Sequence, residues 1–432
     1  MIELDTIVAP ATPPGRSALA IVRIDGPKSS SILTALSPGA LPAVRVATLT
    51  HLREIDECVA IRYEAPHSFT GNDLVELTLH GNPLLVEQVI EACVALGARM
   101  AEPGEFTERA VLNGKMDLVQ AESVADLINA RTALQAKLSL SNLEGMLSRK
   151  AAAIRQTLLE VISRLEAALD FSEEGYDFIT RDETRSRIEA ALADVAAMRE
   201  TYRRGRATRA GLSAVILGRP NAGKSTLLNR LVGSDRAIVT PIPGTTRDIV
   251  RETIEIGGLP VTLADTAGLR ESTDVVEGIG IERAREAART ADIVLYLVDG
   301  VTGLTAEDEA ELAGLENVQL VHTKADLARH AGLSISAVSD EGIAELLARL
   351  DELVRERYAA PEGALVNERQ RYAVAECEEA LTAALAATDA GLDEQMIVAD
   401  LYRAANALGV LTGAVTREDV LSEIFGKFCI GK

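Results

Sequence analysis

Apolar residues along this chain follow two different spacings, which change from one segment to the next. Four short apolar runs in the middle of the sequence predict buried β-strands: residues 212–217, 259–264, 293–298 and 318–322. Two further β-like runs stand nearer the start, at residues 18–24 and 74–79. Elsewhere apolar residues recur at helical spacing and predict amphipathic helices. Examples are Leu158, Ile162, Leu165, Leu169, Leu381, Leu385, Ile397, Leu401, Leu408 and Leu411.

The order of these patterns predicts a multidomain protein. Residues 1–117 mix strands, turns and helices and are expected to form an α+β N-terminal domain. An all-α helical domain then occupies residues 118–211 and 358–432, on either side of an inserted α/β domain at residues 212–357. Each helical half has an apolar stripe, and packing the halves together buries both. An arginine-rich stretch, residues 199–209, leads into the insert; it is either a solvated helix end or a contact for RNA or a partner protein.

Composition narrows the class of protein. The chain has 432 residues, enough for about three domains, and 47% of them are apolar, so each domain can bury a core. The net charge of −21 argues against broad non-specific binding to nucleic acid, although it is compatible with a local basic patch. Cys58, Cys93, Cys377 and Cys429 form no C-x-x-C pair, which argues against a disulfide framework or a zinc site and favours a reducing compartment.

The sequence lacks the usual signs of export and of membrane insertion. Its first residues have no basic start followed by an apolar core, and no apolar run approaches the about 18–20 residues of a membrane span. We therefore expect a cytoplasmic protein with no membrane partner.

The most informative motif lies between the first central strand and a helical segment. Residues 218–225 read GRPNAGKS and match the phosphate-binding loop G-x-x-x-x-G-K-[ST]. Backbone N–H groups of such a loop and the positive end of the following helix bind phosphates. Lys224 is expected to reach the terminal phosphates and Ser225 to bind Mg²⁺. The other predicted contacts of this loop with the nucleotide come from Asn221, Ala222, Gly223 and Thr226.

Two polar segments downstream are placed where the switch loops of a nucleotide-hydrolysing domain belong. Residues 243–248 read PGTTRD, in which Thr246 is the second candidate Mg²⁺ ligand and Thr245 precedes it. Asp265 and Gly268 follow the second central strand. Asp265 is predicted to contact the Mg²⁺ shell, and the Gly268 N–H to meet the γ-phosphate.

The last two loops favour guanine over adenine. In the segment Thr323-Lys324-Ala-Asp326, the aspartate can accept two hydrogen bonds from a guanine edge, which adenine cannot donate. Ser336 and Ala337 are predicted to cap the base. Together the five loops resemble those of translation-factor-like GTPases, which have a Ras-like α/β P-loop fold, so GTP is the expected substrate. Thr323 departs from that pattern, because an asparagine usually begins the fourth loop.

Segments outside the nucleotide domain resemble the MnmE (TrmE) family of tRNA-modification GTPases. They are residues 5–16 (DTIVAPATPPGR), 104–110 (GEFTERA), 113–122 (NGKMDLVQAE) and 428–432 (FCIGK), and the resemblance covers essentially the whole chain. It implies a homodimer whose N-terminal domain serves dimerisation and binds a tetrahydrofolate derivative. It also implies a heterotetramer with MnmG (GidA), a partner that carries FAD. The two proteins would install an aminomethyl-type group at C5 of the wobble uridine of tRNA, with the folate as one-carbon donor.

The resemblance also assigns a catalytic residue for hydrolysis. Many small GTPases orient the attacking water with a glutamine close to the third loop, but this chain has Leu269 there. Glu277 matches the family's catalytic glutamate by position and is expected to act through a bridging water. Without the resemblance, Glu277 is better described as an exposed acid of a switch loop.

A monovalent cation is expected beside the phosphates. The Asn221 side-chain oxygen can join backbone carbonyls of Thr245 and Thr246 and phosphate oxygens around such an ion, and the family uses K⁺ in this way. The family couples this ion and hydrolysis to dimerisation of the G domains. Arg247 and Arg270 are rival charge donors, or residues that order loops or contact the second subunit.

The folate-binding residues are predicted from charged positions in the N-terminal domain. A carboxylate matches the donor edge of a pterin ring, and a cation suits the glutamate tail. Arg16, Glu76 and Lys115 are the chosen candidates, and Arg109 also has a suitable charge. Each of these residues could equally belong to a surface ion pair.

Cys429 is the fourth residue from the end of the sequence. Gly431 and Lys432 fit a lipidation signal poorly. The resemblance instead implies that this thiol lies near the folate site and has a catalytic role in tRNA modification, with simple burial as the alternative.

Two other functions are compatible with parts of the sequence. One is a regulatory GTP-binding switch in ribosome or RNA metabolism that does no one-carbon chemistry, which the family-like segments at both ends oppose. The other is a folate-binding scaffold with a degenerate nucleotide domain, which the intact Lys224, Ser225, Thr246 and Asp265 oppose.

Overall fold

A computed structural model describes residues 5–171, 178–234, 236–238, 251–265, 286–414, 421, 424–426 and 428–431. Contacts within the chain divide it into two compact units. One unit combines Met1–Ala125 with Ala405–Lys432, and the other is Asp126–Ala404. The expected architecture is confirmed, since an α+β region, a helical region and an α/β region are all present. The four domain boundaries stay predictions, because this division keeps the α/β insert and most of the helices in one unit.

The first unit contains a six-stranded sheet. Its strands are β1 (Ile7–Pro10), β2 (Leu19–Asp25), β3 (Thr48–Leu52), β4 (Asp56–Tyr63), β5 (Leu74–His80) and β6 (Arg99–Met100). They lie in the order β3-β4-β5-β2-β1-β6, and all pairs are antiparallel except β1 with β6. The two β-like runs near the start of the sequence are thereby confirmed as β2 and β5.

Helices α1 (Ser29–Leu36) and α2 (Pro83–Ala95) pack against one face of this sheet. On the opposite face, Phe106 of α3 (Glu105–Leu112) packs with Ile7 and Ala9 of β1. The first part of α4 (Leu118–Asn129) also belongs to the unit. Asn82 caps α2, because its Oδ1 accepts the Leu84 N–H at 3.1 Å. On the inner face of α2, Val89 and Cys93 are fully buried in the core that the sheet and the helices share.

The second unit begins with long helices, α5 (Ala133–Leu143), α6 (Met146–Asp170) and α7 (Arg181–Ala210). The helical pattern expected from residue 118 onward is confirmed but is distributed over α4 to α7. Leu158, Ile162 and Leu165 of α6 are buried, as a stripe at helical spacing predicts. Across the described residues, no helix is long and apolar enough to cross a membrane.

The inserted α/β region holds a five-stranded sheet. Its strands are β7 (Leu212–Gly218), β8 (Arg251–Ile256), β9 (Leu259–Asp265), β10 (Ile293–Asp299) and β11 (Val318–Thr323). Helices of this region are α8 (Lys224–Val232), α9 (Ala306–Leu312) and α10 (Ile343–Tyr358), and residues 286–290 are also helical. The strands lie in the order β11-β10-β7-β9-β8, and only the β8–β9 pair is antiparallel. All four predicted central strands are confirmed to within one residue at each end.

The central strands are apolar for a reason specific to parallel sheets. Helices cover both faces of such a sheet, so that consecutive residues are buried and the sequence does not alternate. In β10 the first six residues are all buried, and Tyr296 among them directs its hydroxyl to Asp308 at 2.9 Å. The carboxyl ends of β7, β9, β10 and β11 meet at one edge, which is where ligands bind in folds of this kind.

The chain leaves the helices and returns to them at neighbouring points. Helix α7 ends at Ala210, just before β7, and α10 ends at Tyr358. Thr208 Oγ1 donates to the Tyr358 carbonyl at 3.4 Å and accepts the Ala360 N–H at 3.2 Å. The buried Tyr358 side chain donates its hydroxyl to the Asp292 carbonyl at 3.0 Å, at the start of β10.

Beyond this junction the helices resume as α11 (Glu368–Asp389) and α12 (Glu394–Thr412). Helix α7 packs along α11 and α6. The returning segment crosses α7 at Gly205, where a Cβ would overlap the Leu365 carbonyl oxygen. The Leu365 N–H donates to Thr201 Oγ1 of the same helix at 3.1 Å.

The arginine-rich stretch forms the last turns of α7 and contacts its own unit. Arg199 pairs with Glu378 at 2.7 Å, and Arg209 pairs with Asp126 at 2.6 Å. The Arg203 guanidinium lies 5.7 Å from the centre of the Tyr358 ring. These contacts use much of the stretch's positive charge within the fold itself.

Candidate functional site

The backbone of residues 218–225 adopts a conformation that its glycines make possible. Gly218 and Gly223 have φ values of 135° and 87°, in the region that favours glycine. A Cβ on Gly218 would overlap the carbonyl oxygen of Leu297 in the neighbouring strand. Asn221 also has a positive φ, of 63°, a conformation that asparagine tolerates better than most residues. The loop therefore follows the sharp course that a phosphate-binding loop requires.

Lys224 stands at the first position of α8 and is 6% exposed. Its Nζ donates to the carbonyl oxygens of Gly218 at 2.9 Å and Arg219 at 2.8 Å, so the ammonium group is held inside the curve of the loop. The positive end of the helix dipole points to the same place. Of the neighbouring candidates, Ala222 is buried, whereas Ser225 and Thr226 are exposed in the first turn of the helix.

The loop predicted to read the base lies against the phosphate-binding loop. Thr323 ends β11, is buried, and donates through Oγ1 to the Val298 carbonyl at 3.3 Å. A Cβ added at Gly223 would lie 4.0 Å from the Thr323 Cβ, in ordinary van der Waals contact. Lys324 follows with a φ of 58°, and Asp326 is exposed. The structure thus brings the predicted phosphate and base loops together at one edge of the sheet.

Ser336 and Ala337 lie in the neighbouring loop, as a base-capping role requires. The Ser336 N–H donates to the Glu341 carbonyl at 2.8 Å, and its Oγ accepts the Ser339 N–H at 3.2 Å. The loop is tied to the base loop because the Ala325 N–H donates to the Ile335 carbonyl at 3.0 Å.

Several predicted residues lie outside the described part of the chain. These are the switch-loop and catalytic candidates, together with two rival charge donors: Thr245, Thr246, Gly268, Glu277, Arg247 and Arg270. The backbone of Asp265 ends β9, paired with Ile216 of β7, and its side chain is not described.

One residue near the nucleotide edge was missed by the sequence analysis. Asp299 ends β10, and its Oδ2 accepts a hydrogen bond from Lys324 Nζ at 2.5 Å. This bond is the main cause that lowers the pKa of the Asp299 carboxyl below its usual value. An Asp-Gly pair directly after a buried strand was the available signal, but the sequence could not show which cation it faces.

Two of the three folate candidates share a cavity in the first unit. Glu76 and Lys115 line a cavity of about 310 Å³, together with Arg45, Tyr63, His67, Ser68, Phe69 and Leu74. Glu76 Oε1 accepts from Arg23 at 2.7 Å, and Lys115 Nζ donates to the Pro66 carbonyl at 3.0 Å. Arg16 is exposed and does not line this cavity.

Arg109, whose charge also suits a folate ligand, is buried in an ion network. Its guanidinium donates to Asp25 at 2.9 Å, to Asp5 at 2.7 Å and to Glu105 at 2.9 Å. Burial by itself raises the pKa of Glu105, but hydrogen bonds from Arg99 and Arg109 outweigh it and leave this pKa below its usual value. Each charged side chain of this network already pairs with another one, which indicates a structural role for Arg109.

Cys429 is the exposed cysteine among four free thiols. Its carbonyl accepts the Gly104 N–H at 3.4 Å, so this segment lies against the start of α3. Gly104 and Gly431 both have positive φ, and a Cβ on either residue would meet backbone atoms, of Phe425 and Pro10 respectively. Because Cys429 itself is exposed, simple burial of its thiol is not the reason for a cysteine at this position.

Comparison with known proteins agrees with this architecture. A family model described as "GTP-binding protein TrmE N-terminus" matches residues 6–115, and one described as "MnmE helical domain" matches residues 118–429. A Koribacter versatilis protein named "tRNA modification GTPase MnmE" is 43% identical over 99% of both chains. A Paracoccus denitrificans protein of the same name is 42% identical, over 99% of this chain and all of its own.

Solved structures match part of the chain. The crystal structure of Aquifex aeolicus Era bound to GDP·AlF₄⁻ aligns with 39% of this chain and 66% of its own, at 26% identity and a TM-score of 0.27. In this chain, the fold of the inserted region and the loops at the edge of its five-stranded sheet define a P-loop GTPase. The chain has additional N-terminal and helical regions. The sequence matches run through the whole chain, and they show that it belongs to the MnmE family.

Proposed function

We propose that this chain hydrolyses GTP and that the hydrolysis serves the modification of tRNA. The observation that carries the first part is the buried Lys224 at the start of α8, inside a loop that lies close to Thr323. The relatives' name supports the second part, since they match over nearly the full chain. The finer reaction is the addition of an aminomethyl-type group at C5 of the wobble uridine, with a folate as carbon donor.

Different loops bind different parts of GTP, according to the charges and hydrogen-bonding groups that each loop carries. Lys224 and the backbone N–H groups at the start of α8 neutralise the phosphates, and Asp326 accepts hydrogen bonds from the guanine edge. Ser225 and Thr246 would hold Mg²⁺, which supplies charge neutralisation of the β- and γ-phosphates. Ser225 fits this role because its hydroxyl lies in the first exposed turn of α8.

We assign K⁺ to Asn221 together with Thr245 and Thr246. The assignment is supported by the exposure of Asn221 within the phosphate-binding loop, where its backbone has a positive φ. Glu277 is the proposed residue that orients the attacking water. Dimerisation of the nucleotide domains in the presence of K⁺ is the proposed trigger of hydrolysis.

The folate assignment rests on the shared cavity of Glu76 and Lys115. Its volume of about 310 Å³ is near the lower limit for small-molecule sites, so it suits a ring system better than a whole folate. A carboxylate and a cation on its walls match the donor edge of a pterin and an anionic tail. Arg16 would have to reach the ligand from outside the cavity. Cys429 remains the proposed thiol for the modification step.

Partners follow from the same family membership. We propose a homodimer that works with the FAD-containing MnmG protein in a heterotetramer and acts on tRNA. The net charge of −21 favours a local basic surface, or one supplied by the partner, for contact with tRNA. Four free thiols are consistent with the cytoplasm.

Steady-state GTP hydrolysis with Mg²⁺, compared in K⁺ and Na⁺ at equal ionic strength, tests the proposal. We expect faster hydrolysis in K⁺, and a loss of this preference in Asn221→Ala because the proposed cation ligand is removed. Lys224→Ala should lower the rate by about 10²–10³-fold, since it removes a preorganised charge. Asn229→Ala, an exposed asparagine further along α8, is the matched control and should keep the K⁺ preference.

The outcomes separate the parts of the proposal. Equal rates in both salts would reject the K⁺ assignment while leaving a GTPase. Slow hydrolysis that ignores the cation would favour the regulatory-switch function instead, and the absence of any hydrolysis would reject the enzyme.

A further inference from the structure

The base-reading loop lacks the asparagine that usually begins it, which raises the question of what holds this loop in place. Thr323 stands in that position, and its hydroxyl donates to the Val298 carbonyl at 3.3 Å. That bond fastens the loop to β10 and turns the hydroxyl toward the sheet. A threonine hydroxyl donates one hydrogen bond, whereas an asparagine amide can donate two and accept others. Thr323 can therefore hold the loop through fewer hydrogen bonds than an asparagine could.

A second brace comes from the carboxyl end of β10. Asp299 lies beside Thr323 in the register of the two parallel strands, and its Oδ2 is 2.5 Å from Lys324 Nζ. The two side chains are 21% and 36% exposed, so the ion pair is partly shielded from water. The other oxygen, Oδ1, accepts the Val301 N–H at 2.9 Å, which fixes the orientation of the carboxylate.

Lys324 needs such a restraint because of its backbone conformation. Its φ of 58° is unfavourable for a residue with a side chain. The reversal at Lys324 is also what separates Thr323, which faces the phosphate-binding loop, from Asp326, which would meet the base. Two N–H groups, of Leu327 and Ala328, donate to the Lys324 carbonyl and continue this turn.

The loop after β10 is tied to the base loop at further points. The Gly300 N–H donates to the Thr323 carbonyl at 2.9 Å, and His330 Nε2 lies 2.5 Å from the Gly300 carbonyl. Gly300 has no room for a side chain, because a Cβ would overlap the Thr323 carbonyl oxygen. Residues 299–300 therefore act as one support under the base loop, with Asp299 as its charged member.

We propose that Asp299 is a positioning residue for guanine recognition, which acts by holding Lys324 in the strained turn and supplies bracing that Thr323 does not. The proposal rests on the proposed GTP-binding function. It assigns Asp299 no contact with the nucleotide itself. Its effect is carried by Lys324, and it acts on the affinity for the guanine base more than on the affinity for phosphate.

A double-mutant cycle on the full-length chain tests this assignment. Binding of GDP labelled with a fluorophore on its ribose is measured for the wild type, Asp299→Asn, Lys324→Ala and the double variant, with competition by unlabelled GDP and ADP. We expect Asp299→Asn to weaken GDP binding about tenfold, the effect of losing one charged hydrogen bond, and to change ADP binding little. In the Lys324→Ala background it should have no further effect, because the residue through which it acts is gone.

Asp351→Asn is the matched control. Asp351 of α10 pairs with Arg236 at 2.9 Å and is 18% exposed, so its ion pair is similarly shielded. Its partners are Arg236 and the Gly257 N–H, which are not part of the base loop. This control should bind GDP as the wild type does. The proposal is overturned if Asp299→Asn has no effect, weakens GDP and ADP equally, or weakens GDP as much without Lys324 as with it. A wild type that does not prefer GDP to ADP would contradict the proposed function itself, and this inference with it.

Discussion

Arg109 and Lys224 are both cations held almost entirely away from solvent, each 6% exposed, but their surroundings differ. Arg109 donates to the carboxylates of Asp5, Asp25 and Glu105, so its charge is neutralised within the fold. Removing one partner of such a buried set typically destabilises a protein by about 3–5 kcal/mol. Lys224 Nζ donates to the carbonyl oxygens of Gly218 and Arg219, which hold it inside the phosphate-binding loop beside the start of α8.

The four cysteines allow a direct test of burial at this scale. Burial raises the pKa of Cys58, Cys93 and Cys377 to about 12, whereas Cys429 is exposed. Because the thiolate is the reactive form, a chromogenic disulfide reagent at about pH 8 should modify one thiol per native chain and four in denaturant. Cys429→Ser should reduce the native value to zero, and a native value above one would contradict the described burial.

At the scale of elements, strands and helices were readable from the sequence where burial follows a simple period. The strands β7, β9, β10 and β11 were predicted to within a residue because parallel strands are apolar throughout. The phosphate-binding loop was predicted because its glycines have no substitute in that conformation. The ion network of Arg109 and the pairing of Asp299 with Lys324 could not be read from the sequence, since their partners, Asp25 and Lys324 among them, are distant along the chain. For the same reason, the sequence could not show that Arg16 lies outside the cavity lined by Glu76 and Lys115.

The crossing of α7 by the returning segment depends on one helical glycine. We expect Gly205→Ala to lower the free energy of unfolding, because the added Cβ would overlap the Leu365 carbonyl, which is part of the backbone. Overpacking of this kind costs about 1–3 kcal/mol, which exceeds the about 0.5–1 kcal/mol that alanine gains over glycine within a helix.

Denaturant unfolding followed by circular dichroism measures the effect of this substitution. Gly314→Ala is the control, because the nearest atom to its Cβ would be 3.9 Å away and its φ is not positive. Equal free energies of unfolding for the two variants would contradict this prediction. They would show that the returning segment can move away from α7 without loss of stability.

At the scale of the whole molecule, the two chain connections between the nucleotide region and the helices lie side by side. Thr208 contacts both the Tyr358 carbonyl and the Ala360 N–H, so the outgoing and returning chains lie side by side. Tyr358 in turn reaches Asp292, whose Oδ2 accepts the Ser213 N–H at 2.9 Å at the start of β7. The junction therefore contacts the strands at their amino ends, opposite the edge that carries the predicted nucleotide loops.

This geometry predicts that the insert can be removed without unfolding the helices. Replacing residues 211–358 by about four glycine and serine residues should span the gap, because Thr208 contacts both flanking points. The shortened chain should keep cooperative unfolding and a helical circular dichroism spectrum, and should lose GTP hydrolysis. Deletion of α7 is the control and should abolish cooperative unfolding, since α7 packs along both α6 and α11. Loss of helical structure in the first variant would contradict the prediction.

The side-by-side ends of the insert also bear on how such a chain could arise. A coding sequence interrupted at a single position, between Ala210 and Ala359, is enough to place a whole nucleotide-hydrolysing domain inside an existing helical protein. No helix of the host has to be reordered, and no long connection has to be added. The same position is therefore open to exchange: another domain whose own termini lie close together could replace the GTPase and leave the rest of the protein assembled around it.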